Sequence, residues 1–250
     1  MGADLQKADI WKRFAAWLLD AMLLCVMVVG VGLLLSSILD YDGHYQQYES
    51  RFNGYMEQYA LQDVDIKSPA NEQEQQRISQ ASEAMRKDAE LVRLESLLSS
   101  LMLVIVTFSI LLTILLLEFV IPLLLKNGQT IGKKMFALGL IRVDSVKVST
   151  FQLFARAVLG KFTIETMIPV YVALMAVFGR LTLTGIILVA GLVIIQLICL
   201  AVTHTNSAIH DLLAGTIVVD ISSQQVFGSS EELIAYTKRI HAEQASRKEY

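Results

Sequence analysis

The sequence predicts an all-α membrane protein with four transmembrane helices, an extracytoplasmic helical hairpin between the first two, and a short pair of cytoplasmic β-strands. Three observations predict this fold class. Hydrophobic residues make up 54% of the 250 residues, and the mean hydropathy of +0.52 is too high for an ordinary soluble domain. The apolar residues are concentrated in four long runs. The polar connection after the first run is acidic, whereas the connection after the second is basic.

The first apolar run, residues 14–39, contains a single acid. It is longer than the roughly 20 residues that a helix needs to cross the hydrocarbon core. Asp20 follows Arg13 by seven residues, so on a helix both lie on one face, about 10 Å apart along the axis. A buried carboxylate is costly unless it is paired or faces a polar cavity. We therefore expect Asp20 to form an ion pair with Arg13 or Arg156, or to bind a cation or proton.

The second apolar run, residues 97–125, also contains one acid. Glu118 lies seven residues before Leu125 and the basic flank at Lys126. If the first two helices are antiparallel, Glu118 lies at the same depth as Asp20. Asp20 and Glu118 are thus a candidate ion or proton site, because two neighbouring buried acids raise each other's pKa.

The connection formed by residues 40–95 carries twelve acids and six bases, a local charge of −6. Its first part has aromatic residues spaced 4, 3, 4, 3 and 4 apart: Tyr41, Tyr45, Tyr48, Phe52, Tyr55 and Tyr59. This spacing predicts one face of a helix, and residues 70–95 predict a second helix after a Ser-Pro start. The aromatic stripe is either the seam of this hairpin or a docking face for another protein, with Tyr45, Phe52, Tyr55 and Tyr59 as contact candidates.

The connection formed by residues 126–161 is the most basic, with seven lysines and arginines against one acid. The positive-inside rule places it in the cytoplasm, so both termini are expected there and residues 40–95 outside. It contains a strand-like run at 138–143 and an amphipathic run at 151–161, which predicts a helix lying at the membrane interface. The third and fourth crossings are predicted at 162–178 and 186–202. A second strand-like run, 216–219, should pair with the first, because an unpaired strand leaves its backbone groups unsatisfied.

Two polar motifs flank these elements on the predicted cytoplasmic side. Gly128-Gln129-Thr130-Ile131-Gly132-Lys133-Lys134 lacks the spacing of a phosphate-binding loop. We expect its glycines to turn the chain at the headgroups and its lysines to contact anionic lipid. Asp211 follows His210, a pair that fits either proton handling or an aspartate that is fixed to an arginine.

Three segments occur in order at predicted helix ends: residues 12–20, residues 128–134, and His210-Asp211-Leu212-Leu213-Ala214-Gly215-Thr216. Together they resemble the RDD family of bacterial membrane proteins, named for one arginine and two aspartates. The resemblance implies that these three residues are Arg13, Asp20 and Asp211. It places the family's glycine-rich cytoplasmic motif on Gly128, Thr130, Gly132 and Lys133, and a common basic position on Arg156. It also implies a bacterial inner-membrane location and a domain of residues 1–225, followed by a polar tail, 226–250. The insertion 40–95 departs from the compact family pattern.

Two functions from different classes follow. One is a non-catalytic accessory or scaffold subunit whose outer hairpin docks a membrane or periplasmic protein, or a second copy of the chain. The other is a small transporter or exchanger of monovalent cations or protons. We expect no enzymatic activity, since no nucleophile–base pair is evident, and no metal, cofactor or nucleic acid, since no ligand spacing suggests one. Membrane lipids are expected partners in either case.

Overall fold

The computed structural model describes residues 8–248. Residues 1–7 of the predicted domain and the last two residues of the predicted tail lie outside this range. The helices, in chain order, are α1 (Ile10–Ile38), α2 (Tyr41–Gln58), α3 (Glu72–Lys87), α4 (Ala89–Ile114), α5 (Ile121–Leu124), α6 (Ile131–Met135), α7 (Thr150–Ala155), α8 (Ile168–Val177), α9 (Leu183–Val202), α10 (Ile209–Ala214) and α11 (Ser230–Lys248). The strands are β1 (Leu138–Arg142) and β2 (Thr216–Asp220).

Four helical stretches are long and apolar enough to cross a membrane: Ile10–Ile38, Ala89–Leu124, Thr150–Val177 and Leu183–Val202. This finding confirms the four predicted apolar helices. Large apolar side chains such as Val26, Leu33 and Val202 are more than two-thirds exposed. Such side chains are costly in water but suited to contact with lipid.

The third spanning stretch differs from its prediction. The amphipathic run at 151–161 does not form a separate interfacial helix but continues without interruption into the crossing, as one stretch from Thr150 to Val177. The polar residues Arg156 and Lys161 suggested an interface, yet they line an internal cavity and can therefore lie inside a spanning helix.

Two of the spanning stretches contain π-helical segments, Leu115–Val120 and Arg156–Met167. Each precedes a proline, Pro122 or Pro169, that lies in the first turn of the following helix. Proline lacks an N–H group and its ring crowds the preceding turn, so the hydrogen-bonding pattern is altered there. In the first case the N–H of Ile121 donates to the carbonyl of Leu116, five residues back.

The two strands pair antiparallel, with Leu138 opposite Asp220 and Arg142 opposite Thr216. The predicted strand pairing is confirmed. Leu138, Leu140 and Val218 pack on one face with Ala16 and Leu153. The other face buries Ile141, Ile217 and Val219. Because successive residues of a strand point to opposite faces, this small sheet contributes to two apolar clusters.

The polar tail packs in part against this region. Phe227 is 1% exposed, and its backbone bonds to Ser145 and Lys147. The Phe227 ring lies 5.2 Å from that of Tyr236 in α11. Packing therefore continues past the predicted domain boundary at residue 225.

Residues Val29–Ser109 form a compact unit of their own, separate from the unit formed by the described residues up to Val28 and from Ile110 onward. Within it, α2 matches the predicted first hairpin helix. The predicted second helix, 70–95, is instead broken at Asp88, whose backbone is extended. Asp88 accepts hydrogen bonds from the N–H groups of Glu90 and Leu91, so it caps the start of α4. An aspartate such as Asp88, in the middle of the predicted helix, favours a helix cap over an uninterrupted helix.

Candidate functional site

A cavity of about 740 Å³ is the site where six of the predicted functional residues meet. All four spanning stretches contribute to its wall. Its acidic and basic lining residues are Arg13, Asp20, Glu118, Lys133, Arg156, Lys161, Glu165, His210 and Asp211. So many ionisable groups near spanning helices are costly, which makes the cavity the functional candidate.

Asp211 lies at the centre of the buried charges. It is the third residue of the short helix α10, and its side chain accepts from the backbone N–H of Ala208 at 3.3 Å. Arg156 forms an ion pair with one carboxylate oxygen. The guanidinium of Arg13 lies 3.6 Å from the other. Burial alone would raise the pKa of Asp211, but the attraction of Arg156 and other cations lowers it below its usual range. The predicted contact of Asp211 with an arginine is confirmed.

His210 lies between Arg156 and Glu165, two residues of the third spanning stretch. Its Nδ1 lies 2.8 Å from both carboxylate oxygens of Glu165, and its Nε2 lies 2.9 Å from an Arg156 nitrogen. Arginine only donates, so Nε2 must accept and the Nδ1–H must point to Glu165. His210 is therefore neutral in this arrangement. Burial, followed by the charge of Arg156, lowers its pKa.

Asp20 does not form the predicted ion pair with Arg13 or Arg156. The Thr130 hydroxyl donates to one of its oxygens at 2.5 Å, and the backbone N–H of Gly132 donates to the other at 2.8 Å. A Cβ at Gly132 would lie 2.3 Å from the carbonyl oxygen of Ala16, so only glycine allows this approach. The prediction was wrong because it considered side-chain charges alone. Backbone donors at a helix start also stabilise a carboxylate.

Glu118 pairs with Lys161. Both lie in π-helical segments, whose extra residue rotates the side chains relative to a regular α-helix; such segments are frequent at functional sites. Asp20 and Glu118 line the same cavity, as the candidate ion or proton site requires. Each, however, already has a partner.

Lys133 is the exception among the charged residues. It is 8% exposed and lines the cavity. Among the side chains that the structure describes, no carboxylate lies within 4 Å of its amine. Burial, followed by repulsion from Arg156, lowers the pKa of Lys133 to about 7. Its position in the cavity does not fit the predicted contact with lipid, whereas its neighbour Lys134 is exposed.

The remaining motif residues hold the cavity wall in place. Thr130 caps α6 by accepting from the backbone N–H of Lys133. Gly128 adopts a positive φ of 59° and is buried, which agrees with the predicted sharp turn. Arg156 is 3% exposed, so it too lies away from the lipid.

The hairpin candidates lie in the separate unit Val29–Ser109. Tyr45 is 46% exposed, while Phe52, Tyr55 and Tyr59 are half-buried. The Tyr55 hydroxyl lies 3.1 Å from Asp88. The aromatic stripe is thus partly packed within the hairpin and partly exposed.

The pairs formed by Lys161, Glu165 and His210 were not predicted from the sequence. The available signal was the occurrence of ionisable residues within or beside apolar runs, which require a partner. The pairing itself depends on how the helices are rotated, which the sequence does not state.

Four spanning helices around a charged cavity, with a small sheet beside it, define an integral membrane protein. The chain belongs to the RDD family, whose family model matches residues 7–215. No curated protein and no solved structure matches the chain significantly. Arg13, Asp20 and Asp211, the three residues implied by the resemblance, all line the cavity.

Proposed function

We propose that the protein is a small membrane transporter in which a proton is carried by a group that lines the cavity. The single observation that carries this proposal is Lys133, a cavity amine without an ion-pair partner among the described side chains. A proton carrier must be stable in both protonation states near neutral pH. Lys133 meets this requirement, because its pKa is about 7.

The paired carboxylates are less suited to this role. Removing the charge of Asp211 or Glu118 would leave Arg156 or Lys161 buried and uncompensated. A monovalent cation at Asp20 and Glu118 would also meet four basic side chains in the same cavity. The geometry therefore favours a proton over a metal cation, and we assign the cavity no catalytic reaction.

The test uses purified protein in liposomes that enclose a pH-sensitive dye. An imposed pH gradient should dissipate faster with the wild type than with protein-free liposomes, and Lys133→Met should abolish the difference. Lys134→Met is the matched control, since it removes an adjacent but exposed amine. Equal rates for Lys133→Met and the wild type would contradict the proposal.

For orientation, we propose an inner-membrane location with both termini in the cytoplasm and residues 40–95 outside. The basic connection between the second and third spanning stretches supports this assignment. In a variant with Cys25 and Cys199 replaced, a cysteine at Lys147 should react with an impermeant reagent only after the cells are opened. A cysteine at Glu74 should react in intact spheroplasts. The opposite pattern would reverse the orientation.

A second candidate function is that of an accessory subunit that docks a partner through the hairpin. The observation in its favour is the aromatic stripe, none of whose six rings is fully buried within its unit. A photoreactive residue at Tyr45 should crosslink to one defined membrane or periplasmic protein, or to a second copy. The same group at Gln47, exposed between the stripe positions Tyr45 and Tyr48, should not. Equal crosslinking from both sites would argue against a specific docking face.

A further inference from the structure

Not every charged side chain around the cavity has an ion-pair or hydrogen-bond partner among the residues that the structure describes. Each of its four carboxylates is engaged: Asp20 by Thr130 and Gly132, Glu118 by Lys161, Glu165 by His210, and Asp211 by Arg156 and Arg13. Among the described residues of the wall, these contacts also engage three of the four lysines and arginines, and Lys133 is the fourth.

The buried surroundings of Lys133 make its protonated amine unfavourable when no counter-ion is present. Glu118 and Asp20 attract its amine from a distance, whereas Arg156 and Lys161 repel it. A charged ammonium that is more than nine-tenths buried normally has a counter-ion or several hydrogen bonds. Here the amine instead faces a cavity large enough to hold a ligand.

We propose that the cavity binds an oxyanion, a phosphate or carboxylate group, which pairs with the protonated amine of Lys133. Three further cationic groups, Arg13, Arg156 and Lys161, lie in the same wall and favour negative charge. This ligand extends the proposed function and shares its cavity, but its binding is measured without any flux, so either proposal can fail alone.

Binding of the anion should be linked to a proton. The pKa of Lys133 is about 7 in the unliganded protein, so about half of the amine is protonated at pH 7. The anion pairs only with the protonated form and therefore raises that pKa. Hence the protein should take up about half a proton per binding event at pH 7, in addition to any proton that the anion itself gains or loses. The affinity for a given ionic form of the anion should fall about tenfold per pH unit well above pH 7.

The rim of the cavity suggests two sources for the oxyanion. Phe14 and Trp17 of α1, and Val193 and Leu197 of α9, line the cavity yet are each more than half exposed. An amphiphile could place its charged head at Lys133 and its apolar part along these side chains. A small free anion would use the polar wall alone.

The test measures acetylation of lysines in the full chain, in a zwitterionic detergent at pH 7, by mass spectrometry. One arm contains inorganic phosphate and the other phosphatidate. Binding should slow acetylation of Lys133 at least about fivefold, because a pKa one unit above 7 leaves only about a tenth of the amine unprotonated. Lys67, exposed in the loop between α2 and α3, is the internal control and should react at an unchanged rate.

Each outcome decides the matter. Protection by inorganic phosphate, with or without protection by phosphatidate, supports a site for free anions, and protection by phosphatidate alone supports an amphiphile. Protection by neither compound, or equal slowing at Lys133 and Lys67, overturns the proposal. Proton uptake from a weakly buffered solution gives a second readout when the added anion is acetate, a carboxylate that does not titrate near pH 7. Lys133→Gln should abolish this uptake and Lys134→Gln should preserve it.

Discussion

Asp211 shows how one residue can set the geometry of the whole site. Its side chain is 1% exposed and forms ion pairs with two arginines from different spanning stretches. It also accepts a hydrogen bond from the N–H of Ala208. Arg13 also donates to the carbonyl oxygen of Thr205 at 2.9 Å. Each charged group depends on the others, because any of them left alone in this environment is costly.

Replacing Asp211 alone should therefore cost more than replacing it together with its partner. Asp211→Asn and Arg156→Gln are each expected to lower the stability by about 3–5 kcal/mol, and the double variant by clearly less than the sum. The free energy of unfolding is measured in detergent for the wild type, the two single variants and the double variant. Additive losses of stability in the double variant would contradict the pairing. The control is Arg142→Gln, which removes an exposed ion pair with Asp144 and should lower the stability by no more than about 1 kcal/mol.

Lys133 differs from Asp211, because the folded protein disfavours the charged form of Lys133 and stabilises the charged form of Asp211. Its pKa is about 7 in the fold and about 10.4 in an unfolded chain, so between these values the unfolded state binds more protons. The contribution of Lys133 to stability should thus increase from pH 7 towards pH 10. Melting temperatures of Lys133→Met should be higher than those of the wild type at pH 7, with the gap closing as the pH rises. A gap that stays constant, or that Lys134→Met reproduces, would contradict this assignment.

At the level of helices, close approach at two glycines holds the cavity wall together. Gly132 brings α6 against α1, and Gly160 brings the π-helical segment Arg156–Met167 against α10. A Cβ at Gly160 would lie 2.4 Å from the Cβ of His210. Neither contact was evident from the sequence, which indicated only a turn at Gly132 and gave no prediction for Gly160. By contrast, strand pairing was predictable, because only two strand-like runs were expected on one side.

Gly160→Ala should therefore disrupt the contact between His210 and Glu165. We expect a loss of about 1–3 kcal/mol, the usual effect of overpacking a filled site. Gly191→Ala in α9 is the matched control, since a Cβ there meets nothing within 4 Å, and its effect should stay within about 1 kcal/mol. Thermal unfolding of both variants in one detergent makes the comparison. Equal stability of the two variants would show that the approach at Gly160 is not tight.

For the whole molecule, the sequence predicts the number of spanning helices, their approximate bounds and the family, because these follow from apolar run length and ordered motifs. It does not predict the pairing inside the cavity. Asp20 and Glu118 were recognised as costly, yet their partners, Thr130, Gly132 and Lys161, depend on helix rotation and on π-helical segments. The cavity thus combines three predictable residues, Arg13, Asp20 and Asp211, with a lysine whose role depends on the fold.

The most direct test of this account is the pKa of the Lys133 amine. Reductive methylation with ¹³C-labelled formaldehyde keeps the charge of each lysine and reports its titration by NMR, with the signal assigned by its absence in Lys133→Arg. We predict that Lys133 titrates near pH 7, well below the ordinary lysine value of about 10.4. A Lys133 amine that titrates near 10.4 would contradict the proposed proton site, because it would place that side chain in water or beside a counter-ion.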